Sequence, residues 1–376
     1  MRLCISPPFF ILVIMKKLKR QQLFTEYLME WFERNDRPLP WKGEKNPYYI
    51  WLSEIILQQT RVKQGLPYFE KFKAKFPTVE DLAKASEDEV MKLWEGLGYY
   101  SRARNLHFTA KHIANTLEGE FPDNYQDILS LKGVGPYTAA AIASFAYNLP
   151  HAVVDGNVYR VLSRFFGIET PIDTTTGRKE FAHLANQLIP AETPGLYNQA
   201  IMDFGATQCT PVNPACKSCP MQQNCIAYHK DLIRSLPIKS KKIEKRERFF
   251  NYLVINFKDE VYLNKRIQKD IWQKLHDFPL VETDQILDEK QLVNHPIFEK
   301  ILQDTVYQII KVSKPFKQVL THQKIIAVFW ELKVKSELSQ NVFPFFKVKQ
   351  KNIDNFAFPK IIDLYFTDKS LYLELF

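Results

Sequence analysis

No apolar run in this chain approaches the ~20 residues that a membrane-spanning helix needs. The nearest candidate, residues 8–15, covers eight positions (Pro-Phe-Phe-Ile-Leu-Val-Ile-Met). It also makes a poor secretory signal. Only Arg2 precedes it, no Ala-x-Ala site follows, and Lys16, Lys17, Lys19 and Arg20 come directly after. Met15 reads as an ordinary cytosolic start, so residues 1–17 are expected to be a dispensable tail or a mis-called start, and the protein to be cytoplasmic, nucleoid-associated if bacterial. Cysteine is scarce as well, with five in 376 residues. That scarcity argues against a small secreted scaffold stapled by disulfides. Internal repeats and low-complexity segments are absent.

The length suggests two domains, and a hydrophobic fraction of 45% with 28 phenylalanines is ample to fill two cores. A net charge of +9 and a pI of about 9.0 fit a polyanionic partner such as nucleic acid, or a merely basic soluble protein. Residues 18–230 read as nearly all helix, with apolar residues at helical spacing in 21–34, 50–62, 101–117 and 177–189. Residues 231–248 change character. With Lys230 included, this stretch holds eight basic residues against three acidic ones, and it reads as a linker able to meet phosphate or as a solvated loop. Beyond it the pattern turns to strands, at 249–257, 261–266, 325–334 and 343–349, with helical stretches between. A small α+β domain is therefore expected over 249–376.

Four of the five cysteines, Cys209, Cys216, Cys219 and Cys225, fall within seventeen residues as Cys-x6-Cys-x2-Cys-x5-Cys. Four thiolates so close in sequence can ligate zinc or an iron–sulfur cluster, with disulfide pairing as the remaining alternative. Generic zinc ribbons place a Cys-x2-Cys pair at each end, and only Cys216 and Cys219 form one here. The spacing resembles the cluster loop of the endonuclease III and MutY glycosylases.

A second motif runs Leu131-Lys132-Gly133-Val134-Gly135-Pro136-Tyr137-Thr138-Ala139. Gly133 and Gly135 permit close backbone approach, Pro136 suits the first turn of a helix, and backbone N–H groups at such a start can hold a phosphate. The nonamer resembles the helix-hairpin-helix of base-excision glycosylases, and Asp155 follows eighteen residues after Tyr137 in Val-Val-Asp-Gly-Asn-Val. Trp51-Leu52-Ser53-Glu54-Ile55-Ile56-Leu57-Gln58-Gln59-Thr60 resembles the MutY signature. Gly96-Leu97-Gly98-Tyr99-Tyr100 resembles the MutY segment that wedges a tyrosine into the base stack. Glu54 lies among apolar neighbours, where desolvation raises a carboxyl pKa and makes it a proton donor.

The resemblance to MutY adenine DNA glycosylases runs from about Leu23 to Tyr228 and continues more weakly to the end. It implies a mainly α helix-hairpin-helix glycosylase, two helical subdomains with a [4Fe–4S] cluster loop at 209–225, followed by a Nudix-like α+β domain. It further implies that Glu54 protonates an adenine mispaired with 8-oxoguanine or guanine in double-stranded DNA, and that ionised Asp155 stabilises the sugar cation. Tyr137 would support both. Because Tyr137 stands where the bifunctional relatives carry a Schiff-base lysine, strand-cleaving lyase activity is expected to be weak or absent. Gln58, Gln59, Thr60, Tyr99, Gly133 and Gly135 are the expected DNA contacts, the protein acting as a monomer without a membrane.

The chain departs from the family pattern in two places. The cluster loop over 210–215 carries no basic residue, with Lys217 following. The lesion-reading loop is Leu320-Thr321-His322, in which a hydroxyl and the histidine remain but the aromatic is replaced. Thr321 and His322 are the expected lesion readers. No Nudix hydrolase box is present, so binding without hydrolysis is expected from that domain. Two alternatives stay open at this point, an endonuclease III-like pyrimidine glycosylase-lyase and a silent DNA-binding scaffold.

Overall fold

The computed structural model describes residues 7–35, 37–240, 244–339 and 343–368; of residues 7–14, 16 and 17 it describes the backbone only. Eleven helices come first: α1 (Pro7–Arg34), α2 (Pro47–Leu57), α3 (Val62–Lys75), α4 (Val79–Lys84), α5 (Glu87–Leu93), α6 (Ser101–Thr116), α7 (Tyr125–Ser130), α8 (Pro136–Tyr147), α9 (Gly156–Phe166), α10 (Thr175–Leu188) and α11 (Pro194–Thr207). The short α12 (Ile226–His229) closes the helical region. Strands β1 (Arg246–Phe257), β2 (Glu260–Lys265), β3 (His276–Asp277) and β4 (Leu280–Thr283) follow, then helices α13 (Glu289–Val293) and α14 (Pro296–Leu302). Strands β5 (Tyr307–Val312), β6 (Phe316–Val319), β7 (Gln323–Val334) and β8 (Phe346–Lys349) lead to the last helix, α15 (Lys360–Phe366). Among the described residues no helix is long and apolar enough to cross a membrane.

The chain forms two compact units that do not follow chain order. The first comprises residues 1–59, 78–80 and 109–241; the second comprises 60–77, 81–108 and 242–376. The linker expected at 231–248 thus spans the point where the first unit ends, and its last three residues already belong to β1. Helix α1 begins at Pro7, inside the segment expected to be a tail.

In the first unit, local signals set each helix that carries a site residue. Asn46 accepts from Tyr48 N–H and Pro47 occupies the first turn, so α2 starts where capping rules place it. It stops at Leu57 rather than running to residue 62 as the apolar spacing suggests, because Gln59 takes a left-handed φ of +54°. The hairpin turn before α8 needs glycine at Gly133, whose φ is +84°. Helix α8 buries Thr138 through Ser144, and these small side chains let it lie close against α2. Helix α11 presses on the start of α9 through Gly205, where an added Cβ would stand 2.6 Å from Cβ of Asn157. Phe24, Leu28, Trp31, Leu162, Phe165, Phe181, Tyr197 and Phe204 fill the core beneath these contacts.

In the second unit, β1 and β7 pair in parallel from Arg246–Gln323 to Asn256–Lys333 and form the middle of a mixed sheet, ordered β3-β2-β1-β7-β5. Strands β4, β6 and β8 pair with β1, β7 and β2 respectively. Buried Leu253, Ile255, Trp330 and Leu332 face Phe298 and Ile301 of α14 in its core. This is the α+β half expected from the sequence, a mixed sheet with helices consistent with a Nudix-like domain.

Candidate active site

Glu54 sits on α2 with 7% of its surface exposed, one turn from Trp51 and Ile50 in the wall of the helical core. Burial drives its carboxyl pKa from 4.5 up to about 7; a hydrogen bond with Tyr137 opposes the shift, and the charge of Asp155 adds to it. The acid is therefore half-protonated near neutrality, as a general acid should be. Tyr137, in the first turn of α8, keeps its proton, because burial and the two nearby carboxylates raise its pKa well above the ordinary value. Its hydroxyl also stands 3.4 Å from Sδ of Met202.

Asp155 is the N-cap of α9. Its Oδ1 accepts from the backbone N–H groups of Asn157 and Val158, each at 2.8 Å, and its Oδ2 accepts from Nδ2 of Asn157 at 2.8 Å. Burial raises its pKa, while these three donors and Arg160 work in the opposite direction. Asp155 is thus the cap of α9 and also a carboxylate whose charge acts on Glu54 and Tyr137. The two carboxyls thus sit in unequal surroundings. Glu54 is desolvated with one hydrogen-bond donor, whereas Asp155 has three donors and a guanidinium.

A cavity of about 360 Å3 opens beside Glu54, lined by Trp41, Lys42, Ser53 and Glu54 on one side and by Phe145, Leu196 and Gln199 on the other. Beneath it Asp203, 1% exposed, accepts from Gln199 at 3.1 Å and pairs with Arg37 at 3.3 Å and Lys42 at 3.9 Å. Sequence reasoning missed Trp41, Lys42, Gln199 and Asp203. The signal available was a buried-type helix, α11, carrying an acid in an apolar stretch with two cations far upstream. No spacing rule joins such residues.

The four cysteines form no disulfide, each is half-buried, and all line one apolar cavity with Val161, Phe165, Phe204 and Met221. Burial pushes Cys219 up to about 12 and raises Cys216 and Cys225, and the neighbouring thiols add to each shift. Four thiolates facing one poorly hydrated space repel one another, and a cationic centre among them removes that cost. Four thiols lining one shared cavity suit either a zinc ion or an iron–sulfur cluster. Arg164, 2% exposed, supports the ring: Nη1 reaches Sγ of Cys209 at 3.5 Å and the Thr210 carbonyl at 2.8 Å, and Nη2 reaches the Pro211 carbonyl at 3.2 Å. It supplies from below the positive charge that the loop over 210–215 lacks. Arg160 ties the loop to the acid side of the site, donating to the Cys209 carbonyl at 2.7 Å, to Gly205 O at 2.6 Å and to Oδ1 of Asn157 at 2.8 Å.

In the first unit, Gln58 donates to Thr138 Oγ1 at 3.1 Å and Gln59 is exposed; Gly135 is the N-cap of α8. In the second unit, Tyr99 is 47% exposed at φ +49°, and its hydroxyl lies 2.6 Å from Oγ1 of Thr321. Thr60 accepts from Arg102 there at 3.4 Å. Tyr99, Thr321 and exposed His322 share a cavity of about 620 Å3 with Trp272, Gln318 and Lys245. The backbone N–H of Arg246 holds the His322 carbonyl at 3.0 Å.

With this geometry in place, the similarities to known proteins become specific. Residues 52–187 match the family model of the HhH-GPD superfamily of base excision DNA repair proteins. That span contains Glu54, Tyr137 and Asp155. The adenine DNA glycosylase of Buchnera aphidicola subsp. Schizaphis graminum is 37% identical over 262 residues, which cover 69% of this chain and 76% of that protein. The adenine DNA glycosylase of Mus musculus is 41% identical over 216 residues, 55% of this chain and 42% of the mouse protein. A thermostable thymine-DNA glycosylase structure superposes with a TM-score of 0.54 at 32% identity, covering 57% of this chain and 99% of that one. The chain belongs to the adenine DNA glycosylase family, within the helix-hairpin-helix base-excision superfamily.

Proposed function

We propose that this protein is a monofunctional adenine DNA glycosylase that removes adenine mispaired with 8-oxoguanine or guanine. The observation that carries the reading is the pairing of Glu54, buried with a pKa of about 7, with hydrogen-bonded Asp155 across Tyr137. A stacked base cannot reach such a site, so the adenine must flip out of the duplex into the cavity beside Glu54. Protonated Glu54 gives its proton to N7 of the adenine. The C1′–N9 bond then breaks with its electron pair moving to N9, and the base leaves neutral. Positive charge develops on the sugar, as in glycoside hydrolysis, and the Asp155 carboxylate stabilises it. A water adds to C1′ and its proton passes to Asp155, which restores the neutral sugar.

No amine follows Pro136, so the chain offers no Schiff-base route at that position. The two lysines lining the cavity are engaged elsewhere, Lys42 with Asp203 and Lys45 with the Phe145 carbonyl at 3.0 Å. This supports hydrolysis without strand cleavage. The cavity holding Tyr99, Thr321 and His322 suits the base opposite the adenine, and the basic residues of the 231–248 linker suit phosphate.

The four cysteines are assigned to a [4Fe–4S] cluster, which when bound cross-links the 209–225 loop. In functional terms the division proposed is 18–230 for base excision and 249–376 for lesion recognition, acting as a monomer on double-stranded DNA in the cytoplasm.

Glu54→Gln is the decisive variant. It should abolish base release from a duplex with adenine opposite 8-oxoguanine and leave duplex affinity within about twofold, since the side chains are isosteric. Turnover retained in that variant would remove the acid role.

A further inference from the structure

Helices α8 and α11 pass each other in opposite directions, and one close approach sets their register. A Cβ added to Gly195, in the first turn of α11, would stand 2.8 Å from the Ser144 carbonyl near the end of α8. About a turn further on, Nδ2 of Asn198 donates to Ser144 Oγ at 2.8 Å, and both residues are buried. Met202 lies two helical turns beyond Gly195, and Tyr137 lies two turns before Ser144. The same register therefore brings these two side chains together, with the Tyr137 hydroxyl 3.4 Å from Sδ of Met202.

Tyr137 stays neutral and so has a single proton to give. Two acceptors compete for it, the Glu54 carboxyl to which Tyr137 is hydrogen-bonded and the Met202 thioether. Asp155, the other carboxylate acting on this pair, already accepts from Asn157 and Val158 through three donors. A thioether is a weak acceptor, whereas an ionised carboxylate takes a charge-assisted bond about twice as strong as a neutral one. Once Glu54 is ionised, the phenol proton therefore turns to it. While Glu54 is protonated it offers only an uncharged oxygen, and the sulfur can hold the phenol proton instead. The thioether thus stabilises one protonation state of the acid and leaves the other untouched.

Resting on the acid role proposed for Glu54, we propose that Met202 is a positioning residue whose thioether holds the Tyr137 phenol proton while Glu54 is protonated, keeping the acid ready to donate. When the Glu54 proton passes to the adenine, the phenol O–H turns from the sulfur to the new carboxylate and supports it. Tyr137 and Met202 exchange only hydrogen bonds in this step, and no covalent bond of either changes. Deleting the sulfur removes a contact from the protonated form alone, so Glu54 should lose its proton at lower pH. The other charged groups around Glu54 are Asp155 at the start of α9, Lys42, Glu44 and Lys45 before α2, and Glu192 before α11. A substitution at position 202 replaces none of them.

The test is a carbon-13 NMR titration of the full chain labelled at the glutamate carboxyls, with the Glu54 signal identified by its loss in Glu54→Gln. Met202→Leu keeps an apolar side chain of similar volume and deletes the acceptor. It should lower the Glu54 midpoint by about half a pH unit, the value of one weak hydrogen bond made to one protonation state only. In a Tyr137→Phe background, where there is no phenol proton to hold, the same leucine substitution should leave the midpoint where it was. A mere packing role for Met202 would shift Glu54 equally in both backgrounds. An unchanged midpoint in Met202→Leu, or a shift that persists in the phenylalanine background, would overturn the assignment. The titration needs no turnover, so it decides the role of Met202 separately from the reaction. If the wild-type protein releases no adenine from a duplex, the glycosylase reading fails instead, whatever Glu54 does in the titration.

Discussion

Glu54 shows how one buried carboxyl shapes both chemistry and stability. Its pKa of about 7 means that base release should decline as pH rises above neutrality, where the acid loses its proton. Release should also decline at low pH once Asp155 is protonated, which gives a bell-shaped single-turnover profile whose alkaline limb belongs to Glu54. Loss of that limb's midpoint near neutrality would contradict the assignment. The same shift has a cost. The folded pKa lies above the unfolded 4.5, so Glu54 favours folding below that value, and the benefit is lost as pH rises through about 7. At alkaline pH the penalty reaches about 3 kcal/mol at 1.36 kcal/mol per unit. Glu54→Gln should therefore be more stable than the wild type in urea melts at about pH 8 and gain little at about pH 5. Glu54 and Asp155 were legible in the sequence because each sits in a motif with its neighbours. Asp203, Arg37 and Lys42 were not, because only the tertiary approach of α11 to the segment before α2 brings them together.

At the scale of elements, what the sequence made plain were the pieces with strong periodicity or strong punctuation. Helix α8 follows from Gly135 and Pro136, and α9 from Asp155. The long strands β1 and β7 appear where β-branched and aromatic residues cluster, with starts earlier by three and two residues than expected. Strands β3 to β6 went unread. They are two to six residues long, and β5 and β6 lie on an edge, with alternation too short to separate from a loop. The helix expected over 50–62 shortened at Gln59 because backbone conformation there overrides apolar spacing.

The cysteine loop between α11 and α12 has almost no regular structure of its own, only two three-residue 3-10 turns. Arg160 and Arg164 hold it through the Cys209 and Thr210 carbonyls. Cys219→Ser, at the most deeply shifted thiol, should lower bound iron and sulfide below four of each per chain and expose 209–225 to protease. Full iron content in that variant would contradict cluster ligation by Cys219.

For the molecule as a whole, the two units cut across the one continuous helical domain and one mixed domain expected from the sequence. Residues 60–77 and 81–108 group with the C-terminal sheet, so Tyr99 and Thr321 belong to one unit and bond directly. Glu54, Asp155 and the cavity beside Glu54 belong to the other. Chain order alone could not reveal that grouping, since it depends on which packed surfaces the inserted helices find. The proposed reaction is hydrolytic removal of adenine without an amine nucleophile. It is tested most directly by a single-turnover assay on a duplex with adenine opposite 8-oxoguanine, divided into samples with and without alkali. Strand breaks only after alkali are the predicted result, because hydrolysis leaves an intact abasic strand. Breaks without alkali would contradict the account and point to an amine such as Lys42 or Lys45 as the nucleophile.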